Sequence, residues 1–200
     1  MELIPSLALA GGLAWASGMR LYAVVFIAGM LGRFDLLQLP ESLRILEHTW
    51  VLWTAGVLLT IEFFADKVPA VDTLWDSVHT FIRIPAGALL AALAMGGHDP
   101  ALMVVAGLLG GTLTAGTHAF KAGSRTLVTA SPEPFSNVAV SLGEDLLVAS
   151  GLLTAIYNPV LFLVLLVVFI GLLIWLIPKL WRSIRMVFAR VFRTEAAHTD

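Results

Sequence analysis

Asp72, Asp76, His79 and Arg83 follow one another at spacings of four, three and four residues, which places them on one face of a helix. Asp72, Asp76 and His79 offer the oxygen and imidazole donors that a divalent metal takes. Arg83, one turn on, opposes a cation there, so the same face also reads as a salt-bridge ladder. Val71, Leu74, Trp75, Val78 and Ile82 form the other side, and Pro69 suits the first helical turn. Such a helix either lies at the cytoplasmic interface with its polar side wet or turns that side into a vestibule. Thr114, His118, Lys121 and Arg125 repeat the same spacing with a basic face. Two complementary faces at similar depth invite pairing, which offsets the cost of burying either alone. Ser141, Glu144 and Asp145 extend the series.

Arg20 sits near the middle of a long apolar run, and Glu62 lies inside another with Asp66 one turn below. Charges at membrane depth cost several kcal/mol unless paired or wetted, and by default they mark a functional site. Arg20 therefore needs a carboxylate, and Glu62 or Glu144 is the natural partner. Desolvation should raise the proton affinity of both glutamates.

The elements that must position these groups are membrane helices. Hydrophobic residues make up 58% of the 200-residue chain and charged residues 13%, with a mean hydropathy of +0.91. This is the composition of an all-α, polytopic helical membrane protein. A net charge of -2 argues against a nucleic-acid partner. The absence of cysteine excludes disulfides, thiolate metal sites and thiol nucleophiles. The start Met1-Glu2-Leu3 lacks the basic segment of a signal peptide, so the first apolar run is expected to be retained as a span.

A span takes ~20 apolar residues. Six candidates follow: residues 4–31 (long enough to tilt or break), 50–65, 84–95 (adequate if the preceding helix continues inward), 101–122, 138–157 and 160–177. Residues 1–178 thus read as one transmembrane domain, 179–193 as a basic amphipathic helix on an anionic membrane surface, and 194–200 as a disordered tail. Five cations between Lys179 and Arg193 point to a cytoplasmic C-terminus. Six spans then put the N-terminus inside as well. The expected location is the bacterial inner membrane.

Two further patterns concern packing. The Gly-Gly segment opening at Gly11 resembles the one opening at Gly110, and each precedes a span with an acidic residue. This suggests halves 1–98 and 99–178 related as a 3+3 inverted repeat, an arrangement common in secondary transporters. Gly107, Gly111, Ala115, Ala119 and Gly123 form a small-residue ridge, matched by Ala88, Ala92 and Gly96 and by Ala8, Gly12 and Ala16. Small residues at this spacing let membrane helices approach closely. The first, third and fourth spans should form the core, with the sixth facing lipid.

The stretch from Glu62 to Gly87, with the later segments Gly116–Arg125 and Ser136–Asp145, resembles the signature of a family of multi-pass membrane proteins, mainly bacterial, known as domain of unknown function number 4126. The resemblance covers about residues 5–157. It implies the membrane class and marks these residues, and it implies no activity.

There is no P-loop, His-Glu-x-x-His, Gly-x-Ser-x-Gly or paired-Asp protease motif, and no cofactor is expected. The leading reading is a small secondary transporter or channel for a small ion or polar solute. Its polar pathway would draw on Arg20, Glu62, Asp66, Asp72, Asp76, His79, Arg83, His118, Lys121, Arg125, Glu144 and Asp145. The second is a membrane enzyme acting on a lipid head group, with Asp72, Asp76 and His79 supplying acid/base or metal chemistry and Lys121 and Arg125 clamping a phosphate. The third is a scaffold whose charges only hold helices together. The bilayer is the expected partner, with a homo-oligomer left open. A transporter should place the charges around a cavity reaching midplane, an enzyme should open them towards lipid head groups, and a scaffold should show no cavity.

Overall fold

The computed structural model describes residues 2–129 and 134–196. The helices are α1 (Leu3–Arg33), α2 (Thr49–Ala65), α3 (Pro69–Ala94), α4 (Pro100–Thr129), α5 (Pro134–Tyr157) and α6 (Pro159–Ala196), with a 3-10 helix, Glu41–Glu47, before α2. No strand occurs among the described residues. Five helices are long and apolar enough to cross a membrane, and a sixth crossing is available if the 3-10 helix and α2, bent by 63°, act together. The chain is a multi-pass membrane protein.

Its helices are inverted relative to those of a water-soluble protein. On α3 the polar face is buried, with Arg83 fully so, while Leu74 is 68% and Phe81 83% exposed. Apolar residues facing outward are stable only where lipid replaces water. This decides the reading of the 72–83 segment. It is the inward-facing half of one continuous helix, with Pro85 inside it, and not a separate helix lying wet at the interface. On α2, Trp50, Trp53, Val57, Ile61 and Phe64 make the same kind of exposed stripe.

The centre of the bundle is α1, whose membrane-length stretch is 72% buried against 11% for α6. The small-residue ridges explain how the backbones approach. A Cβ on Gly107 would sit 3.4 Å from that of Ala92, and one on Gly12 would meet Ala155 at 2.8 Å. The α6 helix runs through Pro178 to Ala196, which joins the basic stretch 179–193 and the start of the tail to the sixth span. The remainder of the tail, residues 197–200, lies outside the described residues.

Arg20 departs from helical dihedrals (φ -144°, ψ 75°) inside α1, and the chain reverses there. The first arm, residues 3–19, runs beside α4 in the same direction. His98 and Ser6 share a hydrogen bond of 2.9 Å, Thr114 donates to the Ala14 carbonyl at 2.8 Å, and Lys121 donates to that of Met19. The second arm, residues 21–33, returns along α2 and α3. Tyr22 meets the His79 ring edge-on, Gly29 abuts Leu46 and Leu52, and Arg33 donates to the Thr49 hydroxyl. Ser42 of the 3-10 helix donates to the Leu93 carbonyl. Both ends of α1 therefore lie at the C-terminal end of α3, and Arg20 is the tip of a helical hairpin.

This geometry bears on two expectations, the placement of the chain ends and the inverted repeat. Both ends of the first apolar run lie at one end of the bundle, and its first arm reaches the depth at which α2 finishes, where Arg20 pairs with Asp66. Ser6 and the C-terminal part of α6 then lie at opposite ends of the bundle, where six spans required both chain ends on one side. The Gly-Gly segments lie on helices running in the same direction, whereas an inverted repeat pairing these halves needs opposite directions. The physical reason is the break at Arg20. Apolar length measures how far a helix can reach, and it does not report a reversal at one residue.

Candidate functional site: a buried ion-pair network

The tip of the hairpin, the α2–α3 junction, the second half of α4 and the first part of α5 converge on one buried cluster. Arg20 pairs with Asp66 and, at 3.0 Å, with Asp145, with Glu144 further off at 3.8 Å. Its Nη2 also donates to the hydroxyl of Ser141 at 3.0 Å. Arg83 reaches Glu62 and Asp76, each at 2.5 Å. Lys121 lies 3.2 Å from Asp76 and 3.5 Å from Asp66. Arg125 grips Glu144 through two parallel bonds of 3.1 and 2.8 Å, donates to the Asp66 carbonyl at 3.0 Å, and stands 3.5 Å from Asp72.

The acidic face of α3 does meet the basic face of α4, as the matched spacings predict. Arg20 does find carboxylates, with a different first partner. Asp66 rather than Glu62 takes it, because Glu62 is one turn further up α2 and is engaged by Arg83. Ten of the twelve candidate residues are joined by ion pairs, and His118 borders them. Arg83 donates to its Nδ1 at 3.4 Å, which leaves its Nε2–H to donate to Thr80 at 2.6 Å. Thr80 in turn donates to the Asp76 carbonyl.

His79 stands apart. Its Nδ1–H donates to the Trp75 carbonyl at 2.8 Å, and its ring stacks on Trp75 with centroids 4.0 Å apart. The acidic partner that joins Asp72 and Asp76 is Asp66. Each of these three carboxylates offers an oxygen within 4.8 Å of the other two. Three contributors escaped the sequence reading, namely Thr80, Tyr22 and the Met19 carbonyl. Thr80 shares the polar face of α3 one turn beyond Asp76. A backbone carbonyl freed by a helix break has no sequence signature.

Two groups at the membrane-boundary end have shifted acidities. Burial pushes the Asp72 carboxyl up to about 7, with the facing Asp66 carboxylate raising it further and Arg125 pulling it down. Burial also lowers the Lys67 ammonium. That ammonium caps the Phe63 carbonyl at 2.8 Å and lies over the Phe63 ring, close to the network but not ion-paired with it.

In depth the network runs from Glu62–Arg83 to Asp72–Arg125. At 1.5 Å per residue, Arg83 lies about 16 Å and Asp72 about 33 Å from the C-terminal end of α3. Four cavities of 270 to 500 Å³ open elsewhere, the largest between α1, α4 and α6 beside Gly11, Leu109 and Leu166. Tyr22 borders one of the four, but none is lined by an ion-paired residue of the network, the outcome that the cavity criterion assigns to a scaffold rather than to an open pathway.

Residues 7–179 match the model of a family described as Domain of unknown function (DUF4126). The chain belongs to that family. No curated protein and no solved structure matches it. The DUF4126 match spans every residue of the network and both arms of the hairpin apart from the first residues of α1.

Proposed function

We propose that this protein is a small secondary transporter or channel, and that the network is its ion or polar-solute pathway in a closed conformation. One observation carries the reading. Four cations, Arg20, Arg83, Lys121 and Arg125, are ion-paired to six carboxylates, Glu62, Asp66, Asp72, Asp76, Glu144 and Asp145. Carboxylates outnumber these cations by two, and the Asp72 carboxyl, raised to about 7 by burial, takes up part of that difference as a proton. A scaffold gains nothing from buried charge without a counter-charge, which costs several kcal/mol per ion. A pathway that takes up and releases positive charge needs such a surplus.

The break at Arg20 supports the same reading. Non-helical backbone at membrane depth is tolerated where it is buried in protein or lines a polar site. In transporters, half-helix ends point carbonyls and dipoles at the transported ion. Here the first arm ends at Met19, whose carbonyl accepts from Lys121. The lipid-enzyme alternative has less support. Arg125 is held by Glu144 and the Asp66 carbonyl, and Lys121 by Asp66 and Asp76, so neither is free to clamp a phosphate.

The test is flux in proteoliposomes carrying the full chain, read with internal pH and cation dyes across candidate solutes. Glu62→Gln and Glu144→Gln each remove the charge facing Arg83 or Arg125 and should cost stability, so flux is read per folded chain, where it should fall at least tenfold. Flux that is absent from wild type, or unchanged in both variants, overturns the reading.

A further inference from the structure

We infer that the cavity between the second arm of α1 and the first turns of α2 binds one phospholipid, with its phosphate on Arg33 and one acyl chain along the groove. The cavity measures 480 Å³. Phe26 and Met30 of α1 and Leu52, Trp53 and Val57 of α2 line its walls, with Arg33 and Thr49 at one end and Thr60 at the other. The site shares no residue with the ion-pair network, so the inference stands apart from the transport reading.

The two ends differ in chemistry. At the first, Arg33 Nη1 donates to the Thr49 hydroxyl at 2.9 Å and to the Glu47 carbonyl at 3.3 Å, which positions the guanidinium. Both acceptors are neutral oxygens, and the Glu47 carboxylate lies against Gly32 instead. Arg33 is exposed, and its Nε and Nη2 donate to no described residue. A planar fork with spare N–H groups and an unneutralised charge complements a phosphate. At the second end, the Thr60 hydroxyl donates to the Gly56 carbonyl at 2.8 Å, so its hydrogen is already used. Between the two ends no lining side chain carries a charge. The cavity thus fits an amphiphile with an anionic group at one end and hydrocarbon along the rest.

Length and depth select the amphiphile. From Thr49 to Thr60 α2 rises about 16 Å, the reach of one leaflet of a hydrocarbon core about 30 Å thick. Trp50 and Trp53 are exposed beside Arg33, where tryptophans mark the head-group level. A phosphate on Arg33 therefore hangs its chain at the depth of the groove. A lipid held only by the surrounding bilayer touches a helix from one side, whereas here two helices wall the chain. Phe26 packs on Gly56, where an added Cβ would lie 3.3 Å from the ring, so a larger side chain at Gly56 intrudes on the groove.

The experiment is native mass spectrometry of the purified full chain in detergent, with phosphatidylglycerol, diacylglycerol or fatty acid of the same acyl chain added. Wild type should retain one phosphatidylglycerol per chain and at least fivefold less of the other two. Arg33→Gln, at an exposed position that folding does not depend on, should lower phospholipid retention at least fivefold, and Arg33→Lys should lower it less. Gly56→Leu, with Arg33 intact, should lower it as well. Arg44→Gln removes an exposed cation nearby that does not line the cavity and should leave retention unchanged. Equal retention of phospholipid and diacylglycerol, or equal losses in Arg33→Gln and Arg44→Gln, overturns the site. Preferential retention of the fatty acid overturns the phospholipid assignment, and retention untouched by Gly56→Leu overturns the seat of the chain.

Discussion

At the scale of single residues, buried charges dominate because none can be removed alone. Arg20 is fully buried and touches carboxylates from α2 and α5. Arg20→Ala strands them, and breaking a buried pair from one side costs about 3–5 kcal/mol. The expected outcome is a large drop in the unfolding midpoint in detergent. Arg20→Lys should recover only part of it, since a point charge cannot reach Asp66, Asp145 and Ser141 together. Asp76 and Lys121 lie 3.2 Å apart. Asp76→Ala and Lys121→Ala should combine less than additively, with a coupling of about 0.5–3 kcal/mol in a double-mutant cycle. Strict additivity would mean that the acidic and basic faces are not energetically joined.

At the scale of elements, helix contacts depend on glycines that admit a neighbouring backbone. A Cβ on Gly18 would lie 2.5 Å from the Thr114 carbonyl oxygen and 3.0 Å from the His118 nitrogen. Backbone cannot swing aside as a side chain can, so Gly18→Ala should push the first arm of α1 away from α4 and cost about 1–3 kcal/mol. Gly143 and Gly171 have open space at the same position. Alanine there should be neutral or stabilising by up to about 1 kcal/mol, through helix propensity. Thermal unfolding of the three variants side by side is the check. Equal effects at all three sites would show that close approach at Gly18 is not what holds the arm.

At the scale of the whole molecule, the hairpin sets the topology. Ser6 is bonded to His98, so the start of the chain and the α3–α4 turn share a side, while Lys67, Lys121, Arg125 and the basic end of α6 cluster at the other end. By the positive-inside rule that end is expected in the cytoplasm. Reporter fusions at the N-terminus and at Gly97 should report the same outer side, and a fusion after Arg193 the inner side. An N-terminal reporter found inside would mean that α1 crosses the bilayer, and the hairpin would be refuted.

The sequence by itself determined the class of the fold and the cast of the site. Apolar runs with few charges admit only membrane helices, because backbone polar groups in lipid must be satisfied within the helix. Matching four, three, four spacings on two helices made their faces complementary before any contact was seen, since side-chain spacing along a helix is fixed by its pitch. Tertiary structure alone decided the rest. It turned the first apolar run back on itself at Arg20, paired Arg83 with Glu62 and Arg20 with Asp66, replaced His79 by Asp66 beside Asp72 and Asp76, and set the two Gly-Gly segments on parallel helices. Periodicity reports which residues share a face. Partner choice and chain reversal depend on where several helices meet in space, and in this bundle one non-helical residue moves that meeting point.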